Sequence, residues 1–466
     1  MSVRPAAALE AELSVPVVVI GAGACGMVAA LAAREAGAEV LVVERDAVPA
    51  GSTAMSSGMI AACGTRLQRA HGIADSVELM AADVQRKAGG EADRDVVDAV
   101  CRTTGPTVDW LVERHGVELT LVEGFLYPGH SRLRMHAPPS RSGADLIGGL
   151  TRAVEAAGVD LVSGAQATDL YADEGGRVHG LGLRRADGSA EAVRCGTLVL
   201  ACCGFGGNPE MVRRYIPEIA AGAYFGHAGN QGDAVLWGEA LGAAVRHMGA
   251  YQGHGALAHP QRIMITWALM MEGGIQVNLR GERFANEHQG YSEHAVAVLS
   301  QPSAVAWNLY DARLHGLGQG FEDYRQAEAA GAIKSAQEVA ALARVTGLPA
   351  APLAATIAAT EAYAAGQRPD PLGRDFAAKP ALAPPYYAVK VTGALFHTQG
   401  GLVVDRHARV RRPDGGTLAN LFAGGGAACG VSGPEVSGYL SGNGLLTAVG
   451  LGRLAGAAAA RQVLGG

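Results

Sequence analysis

One short stretch, residues 16 to 44, limits this chain more than any other feature of its sequence. The run Pro16 to Ile20 is apolar and short enough for a strand buried in a parallel sheet. It passes directly into Gly21, Gly23 and Gly26, spaced as G-x-G-x-x-G. Met27 to Ala36 is alanine-rich and reads as a helix, Gly37 suits the position just past its end, and Glu39 to Glu44 reads as a second buried strand. In such a unit Gly21 permits the tight turn, Gly23 lets the backbone approach a pyrophosphate, and Gly26 allows close packing of helix on strand. The helix N-terminus faces the phosphates, and Glu44 is placed for ribose hydroxyls. A dinucleotide-binding βαβ fold is therefore expected, with the identity of the nucleotide left to residues further on.

Composition narrows the partners. The 38 Lys and Arg against 44 Asp and Glu give a net charge of −6, interspersed and without a basic run, which argues against nucleic acid. Hydrophobic residues, at 49%, supply a large core, yet no apolar run is long enough to cross a bilayer, so no membrane insertion is expected. Met1 to Val15 carries Glu10 and Glu12 and lacks an apolar centre, so it does not read as a signal peptide and cytoplasmic residence is expected. The seven cysteines are odd in number and form no C-x-x-C pair. They are expected to be reduced and mostly buried, with neither a disulfide framework nor a metal site.

Beyond residue 60 the reading predicts helices over Asp75 to Lys87, Asp93 to Thr104, Pro106 to His115 and Gly143 to Ala157. Strands follow over Val159 to Ser163, Gln166 to Asp173, Val178 to Arg185 and Glu191 to Cys202, separated by turn signals and suggesting a meander. From about Tyr251 to Ala394 the composition changes to one rich in His, Trp and Tyr, then in Ala, which reads as a cap domain. Residues 1–250 and 395–466 would together form the nucleotide domain. No second strand-glycine-helix unit is present for a nicotinamide nucleotide.

The loop Gly51 to Ile60, small and rich in hydroxyls, follows the ribose acid directly. From Val17 to Ile60 the chain resembles the FAD-binding fold of the fumarate reductase and succinate dehydrogenase flavoprotein superfamily, which includes 3-ketosteroid dehydrogenases and tricarballylate dehydrogenase. The resemblance implies an α/β architecture: a Rossmann-like FAD-binding domain with a parallel sheet and a β-meander, and an inserted α+β cap. It implies FAD, bound noncovalently because Ser52 stands where respiratory members carry an attachment histidine. The residues it assigns to the cofactor are Gly21, Gly23, Ala24, Gly26, Glu44, Arg45, Ser52, Thr53, Ser57, Gly58, Ala167, Gly204, Gly425 and Leu445. The family often has an acid where Gly426 stands here.

The same resemblance assigns the substrate site. Fumarate reductases hold one carboxylate with a histidine and a threonine twelve residues later, matched by His254 and Thr266, and the other with an H-T-x-G-G histidine, matched by His397, and an arginine. Tyr439 takes that arginine's place. Arg283 to Glu287 keeps the R-F-x-N-E motif, but Tyr291 stands at the proton donor, and Trp267 and Met270 replace the pair that feeds it. Tyrosines at both places look like 3-ketosteroid dehydrogenases, which implies Tyr291 as the base that takes the proton α to a ketone. Tyr439, with the backbone amide of Asn443, would polarise the carbonyl. A C–H beside a carbonyl is acidic only as its enolate develops, so donors must face the oxygen while a base takes the proton. Tyr127 and Gly442 complete the expected pocket, with Trp267 as wall. Arg132, Arg134, His136 and Arg141 form a basic cluster readable either as an anion site or as a solvated loop.

The expectation is an FAD-dependent α,β-desaturase of a small, cyclic ketone or keto acid, passing hydride to flavin N5 and electrons on to an external acceptor. Alternatives are a tricarballylate- or fumarate-reductase-like enzyme, the same site run backwards as an enone reductase, and an electron-transfer flavoprotein subunit.

Overall fold

The computed structural model describes residues 2–465. The larger of its sheets has nine strands and is centred on Leu13–Ile20, which pairs in parallel with Val40–Val43 and with Ala190–Leu200. Val17, Val18 and Val19 are wholly buried, as an all-apolar strand covered on both faces requires. Val40–Val43 takes Asp160–Val162 as its outer neighbour, also in parallel. Ala165–Ala172, Val178–Arg185 and Ala190–Leu200 form the antiparallel meander. The strand expected at Val159 to Ser163 thus belongs to the parallel part of the sheet and not to the meander.

Ala190–Leu200 forks. Residues 190–194 pair with the meander and residues 198–200 with Thr417–Ala423, in parallel. The split leaves backbone groups without a ladder partner, and the buried Asn420 side chain fills them. Its amide donates to Val178 O at 2.7 Å and Gly196 O at 2.8 Å and accepts from Val178 N at 2.9 Å.

Two helices cover this sheet beside the glycine turn. Ala24–Glu35 and Asn443–Val463 touch backbone to backbone: a Cβ on Gly456 would lie 2.0 Å from Ala29 O, and one on Gly452 2.5 Å from Cys25 O. The two helices expected over residues 93–115 are one, Arg94–His115, with Pro106 inside it. Proline removes one amide from the ladder, but the Thr104 and Thr107 hydroxyls take the Val100 and Thr103 carbonyls on either side of it and the helix runs on.

The second sheet, of six strands, is built on Tyr386–Thr398. That long strand pairs antiparallel with Tyr251–Ala258, Val305–Asp311 and Ile333–Ala336, and in parallel with Ala223–Tyr224. Helix Tyr291–Leu299 lies so close on Tyr251–Ala258 that a Cβ at Gly253 would come within 2.5 Å of Ser292 O. The far end of Tyr386–Thr398 reaches the nucleotide fold, where Thr398 Oγ1 accepts from Phe205 N at 3.3 Å. The alanine-rich stretch forms the helices Val339–Thr346 and Ala350–Ala364.

Candidate active site

A continuous cleft runs between the two sheets, and its two ends differ in chemistry. At one end lie Gly21, Gly23, Ala24, Glu44, Arg45 and Ala167; Ser52, Thr53 and Ser57 border its middle with Gly425 and Leu445. Gly21 has φ +105°, and a Cβ there would sit 2.6 Å from Ala201 O, so the turn accepts only glycine. Gly23 has nothing nearer than the Thr53 hydroxyl, leaving its backbone open to the cleft. Gly26 does not line the cleft: its Cβ would overlap Gly21 O, and its part is the close packing of helix on strand. Gly58 and Gly204 also lie outside the lining. Gly58 packs against the Ser142 carbonyl at φ +65°, and Gly204 against the Thr398 hydroxyl.

Glu44 is held by two backbone amides, from Ala22 at 2.8 Å and Asp46 at 3.0 Å, so its carboxylate stays oriented into the cleft with lone pairs to spare. Helix Ala24–Glu35 has no side-chain cap, and its first amides face the same space; only that of Ala24 is taken, by the Thr53 hydroxyl at 3.2 Å. Helix Asn443–Val463 is likewise uncapped where Gly444 and Leu445 reach the cleft. A glycine cradle, a ribose acid and two uncapped helix starts are what the diphosphate, sugar and flavin carbonyls of FAD require, so the donor set fits this cofactor. Arg45 and Asp46 meet the loop Tyr224 to Asn230 across the cleft. Arg45 donates to Gly229 O at 2.8 Å, and His227 Nε2 lies 2.8 Å from Asp46. Ser52 accepts from Asn230 Nδ2 at 2.8 Å.

The other end gathers Tyr127, His254, Thr266, Trp267, Tyr291, His397, Tyr439 and Gly442 from six separate segments. Tyr439 packs edge-on against Tyr291 at 6.1 Å between ring centres and against His397 at 5.6 Å, while His254 stacks on Phe396 at 4.9 Å. The Tyr127 hydroxyl donates to Met59 Sδ at 3.5 Å, and the Tyr291 hydroxyl faces Ser441 and Tyr439. The charged side chains that line the cleft, Glu44, Arg45, Asp46 and Asp233, all belong to the nucleotide end. Burial alone drives His254 down to about 3 and, as the largest effect, His397 to about 4, so both are neutral. Burial pushes Tyr127 up to about 12. It also carries Tyr291 and Tyr439 well above the usual phenol range, with Tyr439 adding to the rise of Tyr291.

Asn443 is not where the resemblance puts it. Its amide donates to Leu440 O at 3.0 Å within a turn, and the residue does not line the cleft. The amides that face the Tyr439 hydroxyl are those of Gly444 and Gly442. The Asn443 side chain instead starts a buried chain, donating to Ser432 Oγ at 3.0 Å. Ser432 donates to Gln399 Oε1 at 2.8 Å, and Gln399 Nε2 lies 3.2 Å from His397 Nδ1, which is also 3.3 Å from the Thr398 carbonyl, leaving Nε2 for the cleft.

The basic cluster does not act as one unit: Arg132 is exposed, Arg141 stacks on the Phe321 ring at 4.7 Å, and Arg134 and His136 are buried. Arg134 is wholly buried between Asp75 and Asp83, His136 bonds Thr65 at 2.8 Å, and Arg132 is spent on backbone carbonyls. The R-F-x-N-E segment is held by ion pairs: Arg283 binds Glu287 and Asp370, and Arg374 binds Glu287 too. Trp267 Nε1 donates to Glu287 O at 3.0 Å, so the indole is fixed as a wall. The sequence reading missed Ser441, Gly444, Gln399 and the Tyr224 to Asn230 loop. Only Gln399 carried a signal, as the variable residue of the His397 motif.

Among the described residues no helix is long and apolar enough to cross a membrane. The sequence profile of the FAD binding domain family matches residues 16–445. A probable fumarate reductase of Shewanella frigidimarina is 30% identical over 451 residues, 96% of this chain and 75% of that protein. The open form of a flavocytochrome c3 fumarate reductase superposes with a TM-score of 0.81 at 28% identity, covering 98% of this chain and 80% of its own. The 3-ketosteroid-Δ4-(5α)-dehydrogenase of Rhodococcus jostii superposes with a TM-score of 0.76 at 26% identity, covering 99% and 100%. With its cradle, ribose acid and two uncapped helices, the chain belongs to the FAD binding domain family and is an FAD-dependent oxidoreductase.

Proposed function

We propose that the protein removes hydrogen across the α,β-carbons of a small, cyclic ketone or keto acid. One observation carries this reading: three tyrosines converge at the substrate end, where no lining side chain is charged. Bound FAD supplies the hydride acceptor for the β-carbon. Tyr439, backed by the Gly442 and Gly444 amides, donates to the carbonyl oxygen, and the hydrogen bond strengthens as enolate charge develops there. Tyr291 exchanges the α-proton, with Ser441 at its hydroxyl. His397 presents Nε2, and His254 with Thr266 offers neutral donors to a carboxylate at the opposite pole. The arginine that would pair a second carboxylate is Tyr439 here, and a phenol gives one hydrogen bond where a guanidinium gives a bidentate ion pair.

The reverse reaction, reduction of an enone, is a second reading favoured by one fact. Tyr291 rests as the neutral phenol, ready to donate. The two directions separate by pH. With its pKa well above 10, the phenolate fraction of Tyr291 rises about tenfold per pH unit, so dehydrogenation accelerates about a hundredfold from pH 7 to 9. Reduction draws on the protonated form and stays flat over the same range. The deciding experiment is anaerobic bleaching of the flavin by a cyclic ketone, its keto acid, the methyl ester of that acid, and succinate. Bleaching by the ketone or keto acid supports the proposal; bleaching by succinate alone overturns it.

A further inference from the structure

Behind the substrate end lies a buried polar cluster that the reaction does not touch. The Arg134 side chain is wholly buried, with Nε 2.7 Å and Nη2 2.9 Å from Asp75 and Nη1 against Asp83, both carboxylates being equally buried. Arg134 Nη1 also lies 3.4 Å from His130 Nδ1, and His130 Nε2 lies 2.8 Å from the Ser441 carbonyl. Both partners have fixed roles: a guanidinium only donates and a carbonyl only accepts. His130 is therefore the neutral Nε2–H tautomer, accepting from Arg134 and donating to Ser441.

The Ser441 carbonyl shares a planar, trans peptide with the Gly442 N–H, so the two point in opposite directions. Pinning the carbonyl toward His130 aims the N–H the other way, into the cleft that Gly442 and Tyr439 both line. Gly442 sits at φ +85°, a conformation that holds the turn open for this purpose. We infer that His130 is a positioning residue for Tyr439, acting through the Ser441–Gly442 peptide. Arg134 polarises the imidazole, the imidazole polarises the peptide, and the peptide N–H strengthens Tyr439 as a donor, each hydrogen bond reinforcing the next. Asp75 and Asp83 hold the guanidinium in place. Asp83 also accepts from Ser131 N at 2.8 Å, tying down the loop that carries both His130 and Tyr127. The other titratable groups facing Tyr439 are Tyr291, Tyr127 and the neutral His397.

The inference rests on the reading of Tyr439 as the carbonyl donor, and its test separates the two. In the FAD-loaded protein, 3,5-difluorotyrosine replaces Tyr439 so that its ionisation falls in a measurable pH range. His130→Leu, which keeps volume and loses the donor, is expected to raise that ionisation by about one pH unit. His130→Gln restores the donor to Ser441 and is expected to return it to within a third of a unit. If the leucine variant does not fold, His130→Asn, too short to reach Ser441, reads the same shift. An unmoved ionisation in a folded, FAD-loaded Leu or Asn variant overturns the inference, as does a glutamine variant that restores nothing. With Tyr439 itself in place, His130→Leu should lower kcat about tenfold and leave KM within threefold. A titration that shifts as expected while no ketone bleaches the wild-type flavin sinks the proposed reaction and leaves the His130 chain standing.

Discussion

The two ends of the cleft are built from different material. The nucleotide end is backbone: glycine turns, the uncapped start of Ala24–Glu35 and amides that hold Glu44, with charged residue types at its rim. The substrate end is side chain: tyrosines, imidazoles and an indole drawn from distant segments, packed ring on ring and uncharged. The difference teaches where each part of the chemistry can tolerate change. Backbone geometry recognises what every relative must bind, a diphosphate and a ribose, whereas side chains at fixed backbone positions can be exchanged to suit another substrate. In the reading proposed above, Tyr439 in the place of an arginine is that kind of change.

The sharpest way to break the comparison is a substitution that should disable one end and spare the other. Tyr291→Phe removes one hydroxyl and is expected to lower turnover at least a hundredfold, about 2.7 kcal/mol in the barrier, with FAD content unchanged. A variant keeping more than a tenth of the wild-type rate removes Tyr291 from proton transfer. The converse substitution is smaller in effect. Glu44→Ala removes a carboxylate anchored by two amides and should weaken FAD about tenfold to thirtyfold, measured by fluorescence on release, while turnover per bound flavin stays constant. Acid precipitation of the wild type should leave free FAD in the supernatant, since Ser52 gives a short hydroxyl where an attachment histidine would stand; yellow protein in the pellet would contradict noncovalent binding.

A fourth test sharpens the contrast in charge. His254 and His397 have folded-state pKa values near 3 and 4, below the ordinary 6.5. Unfolded chains bind protons there first, so the stability from these neutral imidazoles is present above pH 6.5 and is lost as pH falls toward 4. Each contributes a slope of about 1.4 kcal/mol per pH unit between pH 6 and 4.5. His254→Phe should flatten the acid side of the denaturation curve by that amount. An unchanged slope would mean that the imidazole is already charged in the folded protein.

The same contrast explains what the sequence reveals. A site made of backbone appears as spacing, so Gly21, Gly23, Gly26 and Glu44 can be placed from the chain alone, as can the meander that follows. Tyr291, Tyr439 and His397 came only through resemblance, because no local pattern joins residues about 40 to 150 positions apart. Asn443 shows the limit of that route: counting four residues on from Tyr439 reaches an amide already spent on Leu440. Arg134 and His136 read as an anion site or a solvated loop because the carboxylates and the threonine that bury them lie some 50 to 70 positions upstream. Pro106 looked like a helix start because threonine hydroxyls covering the neighbouring carbonyls leave no mark in a propensity.

The backbone contact between Ala24–Glu35 and Asn443–Val463 works as a ruler. One helix opens at the pyrophosphate cradle and the other at the amides behind Tyr439, and they cross with no side chain between them at Gly452 and Gly456. The span from the glycine cradle to Tyr439 is therefore set by two rigid rods in direct contact, with no soft packing to absorb error. A single methyl group added at either glycine, remote from any reacting atom, would put both ends of the cleft out of gauge together.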